Sequence, residues 1–186
     1  MEGPPINKLE NEEDAEEFLA TSDKKSIALA KKFLLEKNPN ILKNVSDGDF
    51  GSASITFEKT LGDIDFNTTK EWASFIEAFK EMRVEHVSAV IKSGDVQKMK
   101  DLVLRNGLEY IGIKNVAMMP KEVVYSPEIQ ERMRIAIEEK VGGNYRSNDE
   151  DSKREAIEQA HKFIKIGIMK PKDAKNILSM LAVNKK

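Results

Sequence analysis

The chain has 186 residues with no cysteine, and 40% of its residues are apolar while 33% are charged. These proportions predict a solvated globular protein of about one ordinary domain, with the cytoplasm as its default location. The lack of cysteine excludes disulfides, thiolate nucleophiles and cysteine-bound zinc. No apolar run approaches the roughly 18 residues of a membrane-spanning helix, and the acidic start predicts no secretory signal.

The charges are distributed unequally along the chain. Residues 1–20 contain seven acidic residues and one lysine, a local charge of −6. Residues 146–186 contain ten basic and six acidic residues, a local charge of +4. Such asymmetry is typical of ends that dock on each other, of head-to-tail association or of separate partners. Two solvated helix faces explain it equally well.

An acidic helical segment is predicted over residues 1–40, beginning with a helix at about 9–20. Six acidic residues in the first nine positions of that helix interact favourably with its dipole. Its apolar contacts are few, namely Leu9, Phe18 and Leu19. Because so thin an apolar face gives a marginal helix in isolation, this segment needs a surface to pack on.

A second helix is predicted to begin at an N-cap formed by Ser22 or Asp23 and to continue to about Lys37. Its apolar residues fall on one face, since they recur at helical spacing. They are Ile27, Ala30 and Leu34. The sequence Asn38-Pro39 then ends the helix.

The central segment, residues 41–143, is predicted to be an α+β domain in a protein that is predominantly α-helical. A turn-rich loop is expected over 44–54, and short alternating runs predict strands. The stretch 84–94 is ambiguous, although its β-branched residues favour a strand. The predicted strands are Ile55–Phe57, Ile64–Phe66, 84–94, Leu108–Val116 and Val123–Tyr125.

Helices of the central segment carry clearer signals. Thr68 and Glu71 form a capping box, and the apolar stripe that follows it predicts a core helix. That stripe consists of Trp72, Phe75, Ile76, Phe79 and Met82. Asp95 is predicted to begin a helix that ends at Gly107, and Ser126 to cap a helix that starts with a proline.

A polar linker is predicted over 144–152, followed by a helical hairpin over 153–186. Its first helix ends at Gly167 and its second begins at Pro171, so the connection is short and the helices should be antiparallel. About 30 residues cannot bury both apolar faces of such a hairpin. The hairpin must therefore dock on the main body, self-associate or bind a partner.

Motifs for metal chemistry are incomplete. Asp47, Asp49 and Glu58 are spaced as in a calcium loop, but Gly51 and Ser52 occupy positions where the EF-hand requires a ligand and a glycine. Asp63 and Asp65 would share one face of an extended strand, but no second acidic strand matches them. We therefore predict no metal site.

Catalytic and cofactor motifs are also missing. The two histidines, His86 and His161, have no partners at metal-ligand or catalytic spacing. Neither a phosphate-binding loop nor a GxGxxG fingerprint nor a GxSxG elbow is present. We therefore predict no catalytic residue and no cofactor, although an enzyme without a local motif stays open.

These observations predict a non-enzymatic protein-interaction or regulatory protein that binds a protein partner or itself through its terminal helices. Binding to a membrane is not expected. An accessory nucleic-acid-binding factor for replication or transcription is the alternative, because the C-terminal lysines could contact phosphates. The predicted contact residues are Phe18, Leu19, Phe163, Ile164, Ile177, Leu178 and Leu181.

Overall fold

The computed structural model describes residues 23–140 and 150–183, and these residues are predominantly helical without a β-strand. None of the helices in these two ranges has the length and apolarity that crossing a membrane requires. The ten helices of the described chain are α1 (Lys24–Lys37), α2 (Asn40–Ser46), α3 (Phe50–Gly62), α4 (Thr69–Ser93), α5 (Val96–Ile111), α6 (Ile113–Ala117), α7 (Lys121–Val124), α8 (Pro127–Lys140), α9 (Glu150–Ile166) and α10 (Pro171–Val183).

The predicted α+β class is therefore wrong for the described residues. Val87 and Val90, in the ambiguous stretch, are buried in α4 at helical spacing. Strand preference reflects packing more than an intrinsic backbone preference, so burial on a helix face overrides it. The other predicted strands lie in helix or loop: Ile55–Phe57 in α3, Leu108–Val116 in α5 and α6, Val123–Tyr125 in and after α7, and Ile64–Phe66 in the loop before α4.

The predicted loop at 44–54 is mostly helical, because two short helices meet there. α2 ends at Ser46, and α3 begins at Phe50 with Asp49 as its N-cap. The Asp49 carboxylate accepts a hydrogen bond from the Ser52 amide at 3.0 Å and another from its hydroxyl at 2.7 Å. The polar residues of this stretch are thus used as helix caps.

Helix starts predicted from caps are confirmed. The Asp23 carboxylate accepts a hydrogen bond from the Ser26 amide at 2.8 Å, and α1 ends at Lys37 as predicted. Asp95 caps α5 in the same way, through the Lys98 amide at 3.0 Å. Caps succeed as signals because they depend on a few consecutive residues.

The chain divides into two compact units, residues 1–89 and 90–186, with the division inside α4. The predicted boundaries at 41–143 and 153–186 stay a prediction. The first unit has an aromatic core. Phe57 and Phe79 stack with ring centroids 4.3 Å apart, and Phe75 receives edge contacts from Phe33 at 5.6 Å and Phe66 at 5.3 Å.

The second unit has an aliphatic and methionine-rich core. α8 packs against α5 and α9, so its apolar stripe is covered on two sides. Its residues Ile129, Met133 and Ile137 are fully buried as a result. Among the buried residues described in this unit, Phe163 is the single aromatic side chain.

Candidate partner-binding surface

The C-terminal hairpin is formed by α9 and α10, which a tight turn joins after Gly167. This glycine adopts φ +86°, a left-handed conformation that side chains disfavour. Its amide donates to the Ile164 carbonyl at 3.0 Å, and the Ile168 amide donates to the Phe163 carbonyl at 3.0 Å. This pair of bonds is a Schellman motif, and the predicted helix end at Gly167 is confirmed.

The turn of the hairpin is also held by side chains from the segment around α7 and α8. The Tyr125 hydroxyl donates to the Gly167 carbonyl at 2.9 Å. The Gln130 amide donates to the carbonyls of Ile168 and Val124, both at 2.8 Å. Because two consecutive carbonyls of the turn are bonded in this way, the hairpin has a fixed end.

The inner face of the hairpin docks on its own unit. α9 packs against α6 and α8, and α10 packs against α8. Phe163 is 0% exposed, and Ala156 and Ala160 on the same side of α9 are buried with it. Of the three fates expected for a hairpin too small to stand alone, docking on the chain itself accounts for this inner face.

The outer side of the hairpin leaves an open apolar groove between α9 and α10, with a volume of about 430 Å³. Ile157, on its α9 side, is 55% exposed. Met180, near the end of α10, is 58% exposed. The groove is lined by Ile157, Ala160, His161, Ile164, Pro171, Ala174, Lys175, Leu178 and Ser179.

The rim of this groove is basic. His161 and Lys175 line the groove, both exposed. Lys165 is one turn beyond His161 on α9, and Lys172 is almost one turn before Lys175 on α10, so each helix carries basic residues along its flank. Glu158, an exposed acid, stands on the α9 flank with them.

Two further acidic residues of the hairpin are placed away from the groove, while Glu150 and Asp151 at the start of α9 are paired with Lys153 and Arg154. Glu155 is two positions before Ile157, and Asp173 is two positions after Pro171. Residues two positions apart on a helix do not share a face, because they are separated by about 200°. The groove therefore combines an apolar floor with a rim that is net positive.

The predicted contact residues are divided by the structure. Ile164 and Leu178 line the open groove, whereas Phe163 and Ile177 are buried. Phe18 and Leu19 lie outside the described residues, as does the side chain of Leu181. Phe163 belongs to the core, since its side chain is covered by its own unit.

Sequence reasoning missed Ile157 and Met180 as surface residues. Ile157 is seven positions before Ile164, a spacing that places both on one face of a helix. Phe163 stands about 100° away from Ile164 on the same helix. The apolar residues of α9 therefore form two stripes, one with Ile157 and Ile164 and one with Phe163. This pattern was the signal that could have distinguished the open face from the buried face.

The histidines and acidic residues considered for catalysis or metal binding are not grouped into a site in the described residues. His86 contacts the Phe50 ring edge-on at 6.0 Å, and its partial burial lowers its pKa. Asp63 and Asp65 are exposed in the segment after α3. Within residues 23–140 and 150–183, no three side chains of His, Asp or Glu are grouped as a metal site.

Comparison with known proteins adds no relative. No protein-family model, no curated protein and no solved structure matches this chain. The geometry of the hairpin is thus the basis for the functional proposal that follows.

Proposed function

We propose that this protein is a non-enzymatic interaction protein whose α9–α10 groove binds an acidic, amphipathic helix of a protein partner. The observation that carries the proposal is the groove itself, an open apolar surface on a hairpin whose opposite face is already buried. Contiguous exposed apolar surface rimmed by polar residues is characteristic of interaction sites.

The dimensions of the groove favour a helix as its occupant. α10 has 13 residues, which corresponds to a length of about 20 Å. Two antiparallel helices with an apolar seam accept a third helix that presents apolar residues at i, i+3, i+4 and i+7. Ile157, Ile164 and Leu178 would contact those residues.

The charge of the rim favours an acidic partner. Lys165, Lys172 and Lys175 stand beside the apolar floor and are exposed. Rim charges contribute mainly to the association rate and to the choice of partner, while the apolar contacts supply the affinity. The association should therefore weaken as salt is added.

The test compares three single variants of the full-length chain as bait in extracts of its native source. Ile157→Glu places a carboxylate in the groove, and Lys175→Glu reverses a rim charge. Met118→Glu is the matched control, because Met118 is 69% exposed on the same unit but lies outside the groove. Substitutions at such exposed positions change stability by no more than about 0.5 kcal/mol.

The expected result is one protein that the wild type and Met118→Glu retain and both groove variants lose. Its contact segment, mapped by cross-linking and mass spectrometry, should be an acidic amphipathic helix. If all four baits retain the same proteins, the groove is not the binding surface. If nuclease treatment releases the bound material, the partner is a nucleic acid and the proposal fails.

A further inference from the structure

A second open groove lies in the first unit, between α1 and the beginning of α4, with a volume of about 380 Å³. Leu29 is 60% exposed and Phe33 is 42% exposed, although both are large apolar residues. The groove is lined by Ser26, Leu29, Ala30, Phe33, Ile64, Thr68, Lys70, Glu71, Ser74 and Phe75.

This groove presents a second apolar stripe of α1. Ile27 and Leu34 are buried on the core side of the helix. Leu29 and Phe33 are four residues apart and therefore share a different, open side. α1 thus has more apolar surface than residues 23–89 cover, and the open stripe is available to a further helix.

The position of the groove favours the preceding segment of the same chain as its occupant. Twenty-two residues come before Asp23, and the sequence predicts a helix over 9–20. Only residues 21 and 22 would connect the end of that helix to the N-cap of α1. Antiparallel helix pairs are joined by loops of two to five residues, so this connection has the right length.

Charge complementarity supports the same occupant. Six acidic residues lie between Glu10 and Glu17. On α1, Lys25 is one turn before Leu29 and Lys32 is almost one turn after it, and both lysines are exposed. Acids and lysines of this kind would face each other along the side of an antiparallel pair.

We infer that residues 9–20 fold back along α1 of the same chain, with Phe18 and Leu19 packed at the end of the groove near Ser26. The thin apolar face of this segment then has the surface it needs. The inference concerns the first unit alone and does not depend on the function proposed for the hairpin.

The lack of cysteine in the chain permits a direct test by disulfide trapping in the full-length protein. One variant combines Ala15→Cys with Leu29→Cys, and the matched control combines Ala15→Cys with Ala28→Cys. In an antiparallel pair connected by residues 21 and 22, residue 15 is level with both 28 and 29. Ala28 is exposed but lies about 100° away from Leu29 on α1.

Each variant is oxidised at low concentration with oxidised glutathione, and the bridge within one chain is measured by mass spectrometry. The expected result is a bridge that forms at least about fivefold faster with Leu29→Cys than with Ala28→Cys, because docking raises the effective concentration of one thiol at the other. Adding Phe18→Asp and Leu19→Asp should reduce the faster rate to that of the control.

Two results would overturn the inference. Equal rates for the two pairs mean that the segment samples both sides of α1 without docking. Bridges that form mainly between chains, found as covalent dimers whose yield rises with protein concentration, mean that a second copy fills the groove. Circular dichroism of each reduced variant checks that the helices are retained.

Discussion

The cores of the two units are built on different principles. In the first unit, aromatic rings contact one another in several pairs, so that Phe75 alone touches two other rings. In the second unit, aliphatic side chains dominate, and the one buried ring among the described residues, Phe163, lies in the hairpin, whose turn is held by two side chains. The comparison teaches that ring contacts are shared among several partners in the first unit, whereas a single ring is packed among aliphatic side chains in the second.

The largest expected effect is the removal of the buried ring of the hairpin. Phe163→Ala should reduce the free energy of unfolding by about 3–5 kcal/mol, because it removes a ring and leaves a cavity. Phe33→Ala, at a half-exposed ring with an edge contact to Phe75, should cost about 1 kcal/mol. Urea denaturation followed by circular dichroism measures both.

Two further probes show which unit each substitution destabilises. Trp72 is the one tryptophan of the chain and lies in the first unit, so its fluorescence reports there. Amide hydrogen exchange in α8 and α9 reports on the second unit. If Phe163→Ala cost less than Phe33→Ala, the single buried ring of the second unit would stabilise it less than a half-exposed ring stabilises the first.

A smaller effect is expected from two glycines that differ in backbone conformation. Gly167→Ala should destabilise the second unit by about 1–2 kcal/mol, since its φ of +86° strains any residue with a Cβ. Neither Gly167 nor Gly62 has an atom within 4 Å of the added methyl, so crowding is excluded at both. Gly62 ends α3, and Gly62→Ala should stabilise by about 0.5 kcal/mol.

Thermal melts of the two glycine variants provide the measurement. The two shifts in melting temperature should have opposite signs. A stabilised Gly167→Ala variant would mean that the turn relaxes without strain and that its side-chain bonds do not pin it.

The smallest effect is expected at the N-cap of α1. Lys70, 2.6 Å from Asp23, and the Ser26 amide hold the pKa of the Asp23 carboxyl well below its usual value of 3.8. A lowered pKa in the folded state means that the contribution to stability is complete above the usual carboxyl pKa. This contribution is lost as the pH falls below the usual carboxyl pKa towards the pKa of Asp23 in the folded state.

Asp23→Asn retains a side chain that caps a helix but removes the charge. The variant should be slightly less stable than the wild type near neutral pH, and this difference should shrink as the pH falls from about 4 towards 2. Melting temperatures across this range test the difference. A gap that persists undiminished in acid would show that the cap, rather than the ion pair, distinguishes the two proteins.

Several helix starts could be predicted from the sequence because their determinants are local. Asp23, Asp95 and Pro171 each mark a start within a few residues, and Gly167 marks an end. The helix end predicted at Gly107 was wrong, since α5 continues to Ile111 across a kink at this glycine. The predicted strands were wrong because local sequence does not determine strands in this way. In Leu108–Val116, Gly112 adopts φ +83° between α5 and α6, so an apolar run that resembles one strand is two elements.

The candidate surface could be predicted only in part. An apolar position such as Ile164 has the same appearance in the sequence as its neighbour Phe163. Which of them stays open depends on α6 and α8, two other helices that cover one side of α9. Sequence pattern identifies the amphipathic helix, but the tertiary fold decides which apolar stripe is left for a partner.

The turn at Gly167 is held in place, so the two helices of the hairpin are fixed to each other at one end. Ile164 and Pro171 lie beside this turn, while Ile157 is ten residues from Gly167, or about 15 Å along the helix. An increase of about 10° in the angle between α9 and α10 would widen the groove at Ile157 by roughly 2–3 Å, by the same helix geometry. The groove should therefore be strict about the shape of a ligand near the turn and tolerant of bulk at its far end.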